Sequence, residues 1–284
     1  MIEFLDFDML IDSFVTELSG ISENCGELVT EASAFKLFKT TISSEDDKKK
    51  FGKPFGRYVT YVFDELSFID EKDYADLKCS IAQQIKNLTD CLLRGKKKKR
   101  ALITGIGNPY AVVDSLGPKT VSLLNATRED GKKHFCEISV ISPDVFATTG
   151  IKTLEYVKGI ITQIDPDIII AVDSLAARFS DRIGTSIQIS DTGITPGSAL
   201  GRRRGALDIN TLGIPVIAIG SPTVVSAATL IVNALEKAGI LKITEELEAV
   251  LREKKHLYVS SKDCDMIVGQ ISMLLASSIQ LALE

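Results

Sequence analysis

The sequence predicts an α/β fold, a doubly wound and mostly parallel sheet flanked by helices, on three observations. Residues 167–172 (DIIIAV) are apolar at every position after the aspartate, and residues 215–220 (PVIAIG) form a second such run. Unalternating runs of this kind mark strands buried on both faces, as in parallel sheets covered by helices on each side. From Arg100 onward, strand-like and helix-like stretches alternate, the pattern of βα units. Composition agrees, since 284 residues with 45% apolar and 25% charged side chains are ordinary for a globular chain.

The elements follow in order. Residues 1–35 open acidic and carry Phe7, Leu10, Ile11, Phe14 and Leu18 at helical spacing, which predicts an N-terminal helical segment set apart from the rest. Residues 36–66 alternate β-branched, aromatic and charged residues around Gly52-Lys53-Pro54, a β-ribbon extension. Helical periodicity returns over 71–94 through Tyr74, Leu77, Ile81, Ile85, Leu88 and Leu92. The basic run 96–100 reads as a solvated linker at that helix's C-terminus, where the dipole favours cations. Then come a strand at 101–105, a helix at 118–126, a strand at 137–142 and a helix at 152–164. The strand at 167–172 leads into a helix at 174–182 and a short strand at 187–189. After the strand at 215–220, Ser221 stands as N-cap and Pro222 at the first position of a helix that stops at Gly239. An amphipathic helix over 261–283 closes the chain, so 36–284 reads as one α/β domain.

Several functions are disfavoured. A net charge of −5 argues against a binder that relies on bulk basic charge, and 6% aromatic residues with no Trp argue against stacking platforms for single strands. Five widely spaced cysteines (Cys25, Cys79, Cys91, Cys136, Cys264) and an acidic N-terminus predict a reduced, soluble, cytoplasmic protein without a signal peptide. The apolar window 216–235 is interrupted by Gly220-Ser221-Pro222, so no membrane span is expected there. Gly105-x-Gly107 begins like a dinucleotide fingerprint, but Tyr110 occupies the third glycine position. The two histidines, His134 and His256, lack ligand spacing, so neither a metal nor another cofactor is expected. His134 and Cys136 alternate as on a strand, a weak dyad without an orienting third group.

The acidic residues carry more. Asp173 closes an apolar strand, and Asp114 lies in the loop after the first core strand, so both emerge on the rim where α/β enzymes place ligands. Two carboxyls facing one water share a proton, so one can take a proton while the other gives one. The alternative is that both are helix N-caps. A third segment, residues 188–198, carries hydroxyls and glycines expected on the same rim, with Asp191-Thr192-Gly193 also suiting a plain turn. Arg202-Arg203-Arg204 follows, an anion-binding cluster or a solvated loop.

At these residues the sequence closely resembles the spore germination protease family. The agreement covers about residues 35–284, through G-x-G-N-x5-D-S-L-G-P at 105–118, T-G-I-K-T at 149–153 and I-I-A-V-D-S-L-A-A-R at 169–178. It continues in T-S-I-Q-I-S-D-T-G-I-x-P-G-S at 185–198 and T-L-G-I-P-V-I-A-I-G-x-P-T-V-V at 211–225. The resemblance implies an atypical aspartic-type endopeptidase of small acid-soluble spore proteins, with a core similar to hydrogenase-maturation proteases. It further implies a homotetramer in the forespore or spore core, made as a precursor, with residues 1–35 as the candidate pro-segment. The family's catalytic aspartates fall on Asp114 and Asp173; Gly107, Asn108, Asp191, Gly193, Thr195 and Arg202 are expected to bind substrate or polarise the scissile carbonyl. Thr195 stands where the family usually carries histidine, and Ser226 where an acidic residue is expected. No contact with nucleic acid is expected. Alternatives are a metal-dependent protease of the hydrogenase-maturation type and a member that binds spore proteins without cutting them. A phosphate-handling enzyme using Arg202 to Arg204 is a third.

Overall fold

The computed structural model describes residues 27–284, apart from 97, 133, 197–204, 241–243 and 255. The helix read from Phe7 to Leu18 and the cluster Arg202 to Arg204 therefore lie outside the described residues.

Among the described residues, nine strands form one sheet. They are β1 (Glu27–Glu31), β2 (Phe35–Ile42), β3 (Gly56–Phe63), β4 (Lys99–Gly105), β5 (Cys136–Ile141), β6 (Ile168–Ala177), β7 (Ser186–Ser190), β8 (Val216–Ser226) and β9 (Tyr258–Val259). Their order is β1-β2-β3-β7-β8-β6-β4-β5, with β9 also on β8. The fold is the expected α/β sheet flanked by helices, and its strand directions are mixed. β5, β4, β6 and β8 run parallel, whereas β7, β3, β2 and β1 continue the sheet antiparallel.

Alternation along the strands sorts side chains onto two apolar faces. Ile103, Ile170, Val172, Ile217 and Ile219 pack on one face with α2 (Glu71–Leu92), α3 (Leu116–Ser122) and α9 (Cys264–Leu283). Leu102, Ile106, Ile169, Ala171, Leu175 and Ala218 pack on the other, against Val157 and Leu154 of α5 (Thr153–Ile164). By length and composition α9 is apolar enough to cross a bilayer, but here Val268, Ile271, Leu274, Leu275 and Ile279 bury it in the core.

Four readings are corrected. The stretch after residue 172 is no helix: β6 runs on to Ala177, followed by a 3-10 turn at Ser180–Arg182. Likewise β8 runs on to Ser226, and the helix starts at Ala227 (α7, Ala227–Lys237). The two strands pair with each other as far as Ala177↔Val225, and the register shift beside Pro222 accommodates the proline. Ser226, not Ser221, caps α7 by accepting from the Thr229 amide at 3.0 Å. The ribbon of β2 and β3 is part of the main sheet, because β3 pairs with β7. Its connection contains a short helix, Glu45–Phe51, held by a capping box between Ser44 and Asp47. Finally, the basic run is a set of clamps. Lys99 is buried and pairs with Asp90, Lys96 reaches Asp167 at 2.5 Å, and Arg100 reaches Asp165 at 2.8 Å.

Candidate active site

The site grows where β4 ends beside the middle of β6. β4 stops at Gly105, and the Ile106 amide still donates to Val172 O of β6 at 2.8 Å. The chain then turns sharply at Gly107, whose φ of +125° favours glycine. A Cβ there would fall 2.0 Å from Asp114 O, so the loop 107–114 closes tightly on itself. Gly117, at the start of α3, sits so close to the sheet that a Cβ would lie within 2.4 Å of Ile106 N and Val172 O. Main chain against main chain thus fixes the loop over the end of β4 and the middle of β6. Thr223 of β8 adds a tie from its hydroxyl to Val113 O at 2.6 Å.

Within this loop the Asn108 amide donates to Asp114 Oδ2 at 2.9 Å, and Asn108 Oδ1 accepts from the Tyr110 amide at 2.9 Å. That amide of Asn108 therefore orients the carboxylate and is engaged before any substrate arrives. Asp173 lies inside β6, 7% exposed, with Oδ1 accepting from the Ser174 amide at 2.8 Å. Neither aspartate is a helix cap. No helix follows Asp173, and α3 starts after Ser115 without a side-chain cap.

Burial pushes the Asp114 carboxyl up to about 6, with the Asp144 charge adding to it and the Asn108 amide opposing. Asp173 is pushed well above the ordinary carboxyl range, by burial first and then by the charge of Asp114. Neither forms an ion pair with a described residue. Without a cation, one of two such groups stays protonated where the other ionises.

Asp144 was missed from sequence. It follows β5 and has a φ of +60°, uncommon for a non-glycine residue. Its Oδ1 accepts from the Val145 amide at 2.6 Å. The available signal was position: the loop after β5 leaves the sheet on the same rim as the loop after β4. Among the described residues no group of three or more His, Cys, Asp and Glu is arranged to hold a metal ion.

Segment 191–195 is not on that rim as expected. β7 runs antiparallel to β8, so Ser190 pairs with Ala218 while Gln188 pairs with Gly220, the partner of Asp173. Asp191 thus lies toward the amino ends of the parallel strands. Both its oxygens face Arg57, accepting from the backbone amide and from Nε at 2.7 Å each. Gly193 packs where a Cβ would meet Leu207 O at 2.1 Å, and Ile194 pairs with Leu207 over the Ala171 face. Thr195 is half-buried and makes no hydrogen bond to either aspartate. His134 binds Asp130 at 2.7 Å rather than Cys136, whose thiol burial pushes up to about 11.

Comparison with known proteins gives one consistent answer. The germination protease family (Peptidase_A25) matches residues 17–263. A germination protease of Caldanaerobacter subterraneus subsp. tengcongensis is 34% identical over 279 residues, covering 88% of this chain and 85% of its own. That of Bacillus subtilis is 38% identical over 199 residues, covering 68% and 54%. Among solved structures, the [NiFe] hydrogenase maturation protease HycI from Thermococcus kodakarensis KOD1 aligns at a TM-score of 0.34 with 18% identity. That alignment covers 68% of this chain and 99% of HycI.

Proposed function

The chain belongs to the germination protease family, and on that premise we propose that it hydrolyses peptide bonds by water attack between Asp114 and Asp173. The observation that carries this reading is a buried carboxyl inside β6, Asp173, facing the Asp114 carboxyl of the loop after the adjacent parallel strand β4, with no ion pair to either from a described residue. Asp114, with its value near 6, is ionised at neutral pH and acts as the base. Asp173, held well above the carboxyl range, is the acid. The water oxygen bonds to the scissile carbonyl carbon and its proton passes to Asp114. As the C–N bond breaks, Asp173 gives its proton to the departing nitrogen. Exchange with solvent then returns Asp114 to the ionised form and Asp173 to the acid.

The family supports small acid-soluble spore proteins as substrates, a homotetramer, synthesis as a precursor in the forespore or spore core, and residues 1–35 as its pro-segment. Asp191 and Gly193 belong to the scaffold of the opposite rim in this reading, while Thr195 and Arg202 remain as groups for substrate. The test is cleavage of a small acid-soluble spore protein, followed by mass spectrometry, for D114N and D173N beside the parent chain. The expected result is cleavage by the parent and loss in both variants. Near-full cleavage by either variant overturns the mechanism, and no cleavage by the processed parent favours a binding protein that does not cut.

A further inference from the structure

Thr104 on β4 is fully buried, and its hydroxyl has no hydrogen-bond partner among the described residues. A buried hydroxyl left so is costly, and such groups in native proteins usually have a reason. The sheet register supplies one. Thr104 pairs with Ala171 of β6, and alternation puts it on the face of Leu102, Ile106, Ile169 and Ala171, the face toward which Asp173 also points. One strand across and two residues along separate Thr104 from Asp173 by about 8 Å between Cα atoms. Ala171, between them on that face, contributes only a methyl group.

Asp173 is short of donors. Oδ1 has the Ser174 amide, Asp114 is the one charged neighbour acting on it among the described residues, and that charge repels. An acid that gives up its proton here leaves a new negative charge in a dry environment with one backbone donor. We propose that Thr104 is a positioning residue whose hydroxyl turns to Oδ2 of Asp173 as that carboxyl releases its proton. The proton goes to the departing nitrogen of the substrate; Thr104 keeps its own and only redirects it. Ser174 Oγ also lacks a partner, but alternation sends it to the opposite face, across from Ser221. The inference rests on Asp173 being the acid of the proposed reaction.

The experiment compares T104V, which keeps the shape and removes the donor, with T104S, which keeps the donor. With a small acid-soluble spore protein as substrate, T104V is expected to lose about 10-fold in kcat with KM within twofold. T104S should stay within twofold of the parent. Thermal stability of T104V should equal or exceed the parent's, because an unpartnered hydroxyl is gone; a merely structural threonine would move stability and leave kcat alone. A second readout needs no turnover: the infrared band of the protonated Asp173 carboxyl, identified by its loss in D173N, should titrate at higher pH in T104V. An unchanged titration, or unchanged kcat in T104V while D173N is inactive, overturns the role of Thr104 alone. Full activity of D173N overturns the two-aspartate reading and this inference with it.

Discussion

The start and the middle of β6 hold the same side chain in opposite circumstances. Asp167, just before the strand, is half-buried with a largely covered side chain, and Asp173, within it, is buried. Burial raises both, but at Asp167 the ammonium of Lys96 and the amide of Arg100 outweigh it and hold the carboxyl below its usual range. At Asp173 no cation among the described residues answers, and the group is driven the other way. The neighbours, as well as depth, set the two carboxyls apart. The same contrast runs across the sheet. Asp191, in the antiparallel half, is clamped by Arg57, whereas Asp114, in the parallel half, faces a second and a third carboxyl.

The largest effects are expected at Asp114 and Asp173. D173N or D114N should lower kcat by about 10²–10⁴-fold, the usual weight of a general acid or base, while raising the thermal midpoint at neutral pH. The sign follows from linkage: a carboxyl raised in the folded state penalises folding above its folded value, and the penalty disappears below its unfolded value of about 4. The gain in D114N should therefore fade between pH about 6 and 4, as read by melting curves across that range. Activity of the parent should likewise fall as pH drops below about 6 and Asp114 is protonated.

At the clamped carboxylates the reverse is expected. R57M should cost about 2 kcal/mol by denaturant unfolding, since it strips the guanidinium from a buried Asp191 but leaves the backbone donor. D167N should cost about 1–2 kcal/mol, because Lys96 is half exposed and can return to water. That contribution is present above the unfolded value near 4 and is lost as pH falls through the lower folded value. At pH 3 the difference between D167N and the parent should thus shrink, while kcat at neutral pH stays within a few-fold. The smallest effect concerns a cap: S226A should cost about 1 kcal/mol by removing the oxygen that accepts from Thr229.

Much of this was legible before the structure. Ile168 to Val172 and Val216 to Gly220 are apolar throughout because helices cover both faces, and that signal marked the strand that carries Asp173, although Asp173 lies within it rather than at its close. What failed was local punctuation. Ser221-Pro222 has the form of a helix start, yet the β-branched Thr223, Val224 and Val225 continue a strand whose partner, β6, extends as far as it does. Strand direction was the other gap. A five-residue strand such as β7 reads the same forward or backward, so nothing in residues 186–190 tells that Asp191 leaves by the far rim. Asp144 was hidden for another reason, since its influence on Asp114 depends on two loops that are adjacent only because β4 and β5 pair.

The contact of Gly117 with Ile106 and Val172 has a further meaning for how the protein ages and heats. The loop that carries Asp114 meets the sheet through main chain too close to admit a side chain at residue 117, so the placing of Asp114 beside β6 depends on backbone rather than on nearby rotamers. Built this way, the proposed catalyst should have no soft decline. It should keep its full rate per folded molecule up to the temperature at which the sheet comes apart, and lose rate and fold together.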